Sequence, residues 1–114
     1  MANSFLSETQ TAIGTSPVTV LTCGASTETT VIGMSIANTG TSQCLVDVIL
    51  ETDTVDVETN STVFIVKAAP VPVGSSLIVV GGDQKVVMQP TDVLKVESDT
   101  ANSVDTTLSV LEIS

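Results

Sequence analysis

Asp53, Asp56 and Glu58 place three hard oxygen donors in one short stretch, residues 51–60 (ETDTVDVETN), and calcium is the ion that accepts such ligands. Their spacing departs from an EF-hand loop, which alternates acids and turns on a glycine, so a solvated acidic loop is the expected state. Cys23 and Cys44 are the thiols, and they form neither a metal-ligand spacing nor a CxxC. They can bond to each other only where neighbouring strands bring their Cα atoms within about 6 Å. Residues 1–14 carry neither the basic nor the apolar part of a secretory leader, so two small buried thiols are the expectation. Asn60-Ser61-Thr62 fits a glycosylation sequon, a triplet common by chance.

Catalysis needs a group that attacks or moves a proton, beside a group that helps it. The chain has no histidine, so Ser-His-Asp and Cys-His arrangements are impossible within it. It has no arginine, so there is no arginine finger or guanidinium phosphate clamp. No GxxxxGK[ST] or GxGxxG occurs; Gly81-Gly82-Asp83-Gln84 lies between two strand-like runs and reads as a turn. Paired carboxylates can serve a glycosidase, but only Phe5 and Phe64 carry rings to hold a sugar. No enzyme activity, cofactor or metal is expected.

Thirteen acids against three lysines give a net charge of −10. Nucleic-acid affinity comes from cations displacing counterions around phosphates, and anionic lipid attracts the same cations, so neither partner is expected. No apolar run approaches the roughly 20 residues that span a bilayer as a helix. At 114 residues the chain is one domain. Mean hydropathy of +0.47 with 14% charged residues opposes disorder.

The elements that would position any site are strands. Val, Thr and Ile dominate, and β-branching suits a pleated strand better than a helix. Pro17 opens a strand over 18–23, and a second covers 29–38 with Ile32, Met34 and Ile36 on one face. Asn38-Thr39-Gly40 then reads as a turn tolerant of left-handed backbone. Residues 44–51 alternate with period two: Cys44, Val46, Val48 and Leu50 against Leu45, Asp47, Ile49 and Glu51. After a strand over 63–68, Pro70 and Pro72 withhold ladder donors and mark an edge or a bend. Residues 77–80 and 85–88, joined through Gly81-Gly82, read as a tight hairpin. Strands over 93–97 and 104–113 close the chain. Roughly eight strands at this rhythm predict an all-β fold, a single antiparallel β-sandwich of jelly-roll or immunoglobulin-like type.

Residues 1–14 read as an extended N-terminal arm ahead of a sandwich domain over 15–114. Phe5, Leu6 and Ile13 are its apolar points; the segment reads equally as a frayed terminus or as an arm that orders against a neighbouring subunit, with these three as the expected partner-binding residues. The strands over 31–36, 45–50, 77–80 and 108–113 are apolar on both faces, which points to covered second faces and a homo-oligomer.

Gly14-Thr15-Ser16-Pro17-Val18-Thr19-Val20 and the run Thr29-Thr30-Val31-Ile32-Gly33-Met34-Ser35-Ile36-Ala37-Asn38 resemble small virion structural proteins of tailed bacteriophages, of the cyanophage and marine-phage type. So do Val66-Lys67-Ala68-Ala69-Pro70-Val71-Pro72-Val73-Gly74-Ser75-Ser76-Leu77 and Gly81-Gly82-Asp83-Gln84-Lys85-Val86-Val87, then Asp92-Val93-Leu94-Lys95-Val96 and Ser109-Val110-Leu111-Glu112-Ile113. The resemblance covers most of the chain after residue 14 and consists of turns and strand pairs. It implies a non-enzymatic part of the virion, assembled in the host cytoplasm. The first such role is a capsid decoration or cement protein, a trimer gripping the major capsid protein; the second is a neck, tail or fibre module. From another class, a calcium-dependent adhesion or carbohydrate-binding module would use the acidic stretch.

Overall fold

A computed structural model describes residues 3–52, 62–81 and 84–113. All regular structure among them is strand: β1 (Asn3–Ile13), β2 (Val18–Thr22), β3 (Glu28–Asn38), β4 (Cys44–Glu51), β5 (Val63–Val71), β6 (Ser76–Val80), β7 (Val86–Met88), β8 (Val93–Ser98) and β9 (Val104–Ile113). The strands form two sheets. One has the order β1-β9-β3-β6, with β7 also on β3, and the other is β2-β8-β4-β5. Every pairing is antiparallel.

β6 and β7 both run antiparallel to β3, β6 along Met34–Ala37 and β7 along Thr29–Val31. They therefore lie end to end as one interrupted edge strand and do not form the hairpin expected from Gly81-Gly82. Gln84 N–H donates to the Gly81 carbonyl at 3.2 Å across that connection. The chain leaves it onto the same neighbour it had before, because β3 still offers unpaired backbone groups beyond Met34. With β6 and β7 counted as one strand, the chain visits the two sheets as first, second, first, second, second, first, second, first. That winding is an eight-stranded jelly roll, which decides between the two sandwich types expected.

The residues read as an N-terminal arm are laid down as β1, the edge strand of the first sheet. It pairs with β9 from Asn3↔Ile113 to Gln10↔Thr106, and after a bulge at Ile13↔Val104. The acidic residues Asp53, Asp56 and Glu58, with Asn60 and Gly82, lie outside the described residues.

Inward-facing side chains of both sheets make one core of small aliphatic groups, among them Val31, Met34, Ile36 and Leu108 from the first sheet and Val46, Val48, Leu94 and Val96 from the second. No aromatic ring takes part, so close packing rests on interlocking valines. Asn38 ties the sheets together. Its side-chain NH2 donates to the Val71 and Ser42 carbonyls at 2.8 and 2.9 Å, and its Oδ1 accepts from Gly40 N–H at 2.8 Å. Asn38 thus serves through its amide, since its backbone is not left-handed. Ser98 and Ser103 share a buried hydroxyl contact of 2.6 Å that closes the β8–β9 loop.

Two edges are shaped by the same device. In β5, Ala68 takes a φ of 55°, and two residues of β5 oppose Asp47 alone. In β1, Ala12 takes a φ of 54°, where two residues oppose Asp105 alone. Each bulge is fastened by the carboxylate across from it.

Candidate assembly surface

Both thiols are free and buried. Cys23 Sγ contacts the Thr27 carbonyl at 3.1 Å, the Thr29 hydroxyl at 3.4 Å and the Met88 carbonyl at 3.5 Å. Burial pushes the Cys23 thiol above its ordinary pKa, opposed by the Thr29 hydroxyl and assisted by the Asp92 carboxylate. A thiol of that kind is a small core residue. Among the described residues no group of three or more metal-ligating side chains comes together, and no helix is long and apolar enough to cross a membrane.

What the structure offers is surface, and the two outer faces differ in kind. Outward side chains of the second sheet mix ion pairs with apolar groups such as Leu45 and Phe64. Lys95 Nζ lies 3.4 Å from Glu51, and Lys67 Nζ lies 3.6 Å from Asp47 and 4.6 Å from the Phe64 ring centre. Such part-exposed pairs add little stability, but they put charge on this face.

The outer face of the first sheet is built differently. The registers align Phe5 on β1 with Leu111 on β9, Thr30 on β3 and Val87 on β7, one continuous row across the sheet. The next rows carry Ser7, Ser109 and Gly33, then Thr9, Thr107, Ser35 and Ile78. No charge interrupts these rows; Glu28 stands at one end of the face and Asp105 at the other. Phe5 is 77% exposed, Ile78 65% and Val87 54%, large apolar groups left in water on a chain that carries ten net negative charges. Around Gly33 the face dips into a shallow groove lined by Ser35, Ile78, Thr107 and Ser109.

The four sheet edges also differ. β5 is guarded against stray pairing by Lys67, the left-handed Ala68 and Pro70, which cannot donate. The β6–β7 edge is interrupted. β2 is five residues long and bulged between Thr19 and Leu21. β1 alone keeps an unbroken register over residues 3–10, with no proline, no lysine and a single charge, Glu8.

The three residues expected to bind a partner are separated by this geometry. Phe5 stands on the uncharged face. Leu6 turns inward opposite Val110 at the open side of the sandwich, partly exposed. Ile13 is fully buried in the core, so it has no surface to offer and serves as an anchor. A strand pattern cannot distinguish these roles before its partner is known. Leu111, Val87 and Ile78 belong to the surface; strands apolar on both faces signalled Leu111 and Ile78, while Val87 carried no such signal.

No protein-family model matches the chain, and no curated protein matches it in sequence. Among solved structures it is similar to a subunit of Bacillus endospore appendages, described as a novel family of disulfide-linked pili. The TM-score is 0.56 at 14% identity, over 99% of this chain and 87% of that one. The likeness is one of fold, the two-sheet β-sandwich.

Proposed function

We propose that the chain is a non-enzymatic structural subunit that assembles with copies of itself. The observation that carries this is the uncharged first-sheet face, with Phe5, Leu111, Thr30 and Val87 in one row. Copies bearing ten negative charges each repel, and contact through a charge-free face gains apolar burial where that repulsion is least. The ionic face of the second sheet keeps the outside of such an assembly soluble.

Within this reading, the sequence resemblance favours the particle of a tailed phage. There the subunit is a capsid decoration protein, a closed trimer on the major capsid protein lattice, with a neck, tail or fibre position as the alternative. A second reading, an open filament, is favoured by the fold shared with an endospore pilus subunit. Disulfide linkage of that kind does not fit Cys23 and Cys44, both of which are buried. One heterologous contact yields a closed ring if its rotation closes and a filament if it does not.

Sedimentation of the purified full chain, with electron microscopy, tests all of this. Concentration-dependent assembly supports the proposal, and a strict monomer at every concentration refutes it. A single closed species favours the trimer, and a length distribution the filament. Counting copies on purified phage particles separates the capsid position (hundreds) from the tail position (a dozen or fewer).

A further inference from the structure

Residues 3–10 of β1 are held almost wholly by backbone ladder bonds. Their inward side chains, Ser4, Leu6, Glu8 and Gln10, stand opposite Glu112, Val110, Leu108 and Thr106, yet none of the four is buried. The core includes no residue before Ile13. Three of the four inward positions are polar, so detaching this segment forfeits little apolar contact. The body it leaves behind keeps its core.

The segment also has a built boundary. Ile13 is locked in the core, and Ala12 beside it is left-handed, with its N–H donated to Asp105 Oδ1 at 3.0 Å. At this bulge the register shifts, so the ladder over residues 3–10 is set apart from the buried Ile13↔Val104 pair.

We propose that β1 is an exchangeable strand: residues 3–10 leave their own β9 and pair, in the same register, with β9 of a second copy. The occupant follows from the ladder itself. The surface that fits β1 is the β9 edge, Ile113 back to Thr106, and every copy carries one. An exchanged strand regains the same backbone bonds it gave up, which is why swapping an identical element is a low-cost route to association. In dilute solution the tether at Ile13 favours the strand's own β9; in an assembly, the local concentration of foreign β9 edges rivals it. The inference rests on the self-assembly proposed above and specifies one of its contacts.

Ser7 and Ser109 lie directly opposite each other and are exposed. Full-length S7C and S109C chains, carrying tags of different size, are mixed in urea, refolded together, concentrated and oxidised. Exchange predicts a disulfide-linked heterodimer on a non-reducing gel, with the 7–109 bond identified by peptide mass spectrometry. Its yield should rise with protein concentration, while S7C/S109C chains diluted before oxidation give the bond within one chain. Assemblies that form without any interchain 7–109 bond overturn the exchange and leave the self-assembly standing. A 7–7 bond in place of 7–109 also overturns it, since that reports two β1 edges side by side. A mixture that stays monomeric refutes both.

Discussion

Asp47 on β4 accepts a hydrogen bond from the backbone N–H of Ala68 on β5, at 2.7 Å, and so fixes the bulge that turns this edge out of register. The same relationship joins Asp105 to Ala12 at 3.0 Å on the far sheet. In both, an L-residue with a side chain occupies backbone space that suits glycine, at a cost of about 1 kcal/mol or more. The aspartate offsets that cost by satisfying an N–H the bulge leaves outside the ladder.

Asp47→Ala should therefore destabilise the domain by about 1.5–3 kcal/mol, the range for a hydrogen bond to a charged acceptor. Its pair with the exposed Lys67 adds little to that figure. Ala68→Gly should move stability the other way, by up to about 1 kcal/mol, because glycine adopts positive φ freely. Urea unfolding followed by circular dichroism checks both; a lower midpoint for Ala68→Gly would show that the alanine is not strained.

Thr106 Oγ1 is buried in the core with no hydrogen-bond partner, facing the second sheet from β9. Thr106→Val removes the orphaned hydroxyl and keeps the β-branched shape, so stability should rise by about 1 kcal/mol. A fall in the thermal midpoint would mean the hydroxyl has found a partner, such as buried water.

Cys23 and Cys44 should be silent toward Ellman's reagent near neutral pH in the folded protein, and both should react in urea. The folded-state pKa of Cys23 is raised, chiefly by burial. Its contribution to stability is thus complete below the ordinary thiol range and is lost as pH rises through and above it. A fast-reacting thiol in the native chain would contradict the buried placement.

Asp99 is held below the ordinary aspartate range, first by the Leu45 N–H at 3.0 Å and then by the Thr100 hydroxyl at 2.9 Å. A lowered folded pKa gives stability that is present above the unfolded value and lost as the carboxylate protonates on acidification. Wild type should therefore exceed Asp99→Asn in stability from pH 5 upward (about one unit above the ordinary aspartate value), and the two should converge toward strongly acid pH. Thermal melts over that range measure it; parallel curves would show that the carboxylate charge is immaterial.

Phe5→Asp and Val87→Asp place a carboxylate on the uncharged face, at positions too exposed to disturb the core. Each should disperse assemblies while leaving the melting of the single chain nearly unchanged. Lys67→Asp on the ionic face is the control, expected to leave assembly intact. Sedimentation distinguishes the three.

Much of the chain was legible as sequence because strands announce themselves locally. The alternation over residues 44–51 put Cys44, Val46 and Val48 on the buried face, where they are. Pro70 was readable as an edge residue for want of an N–H, and β5 is an edge. The run through Gly81-Gly82 misled because a turn signal reports a change of local direction. Whether the chain then reverses, or resumes along the same neighbour, depends on the unpaired length of β3. Ile13 looked like the end of an arm and is a core residue for a similar reason: its partner Val104 comes from the opposite end of the chain.

By itself the sequence determined the chemistry this protein lacks and the material it is made of. Side chains that are not encoded cannot be supplied by folding, and β-branched residues at period two favour pleated strands in any surroundings. Tertiary structure decided which strands became neighbours, and therefore that Phe5, Leu111, Thr30 and Val87 form one row while the lysines Lys67 and Lys95 pair with acids on the opposite sheet. Pairing in a jelly roll joins residues far apart along the chain, and the composition of a face exists only once those pairings are made.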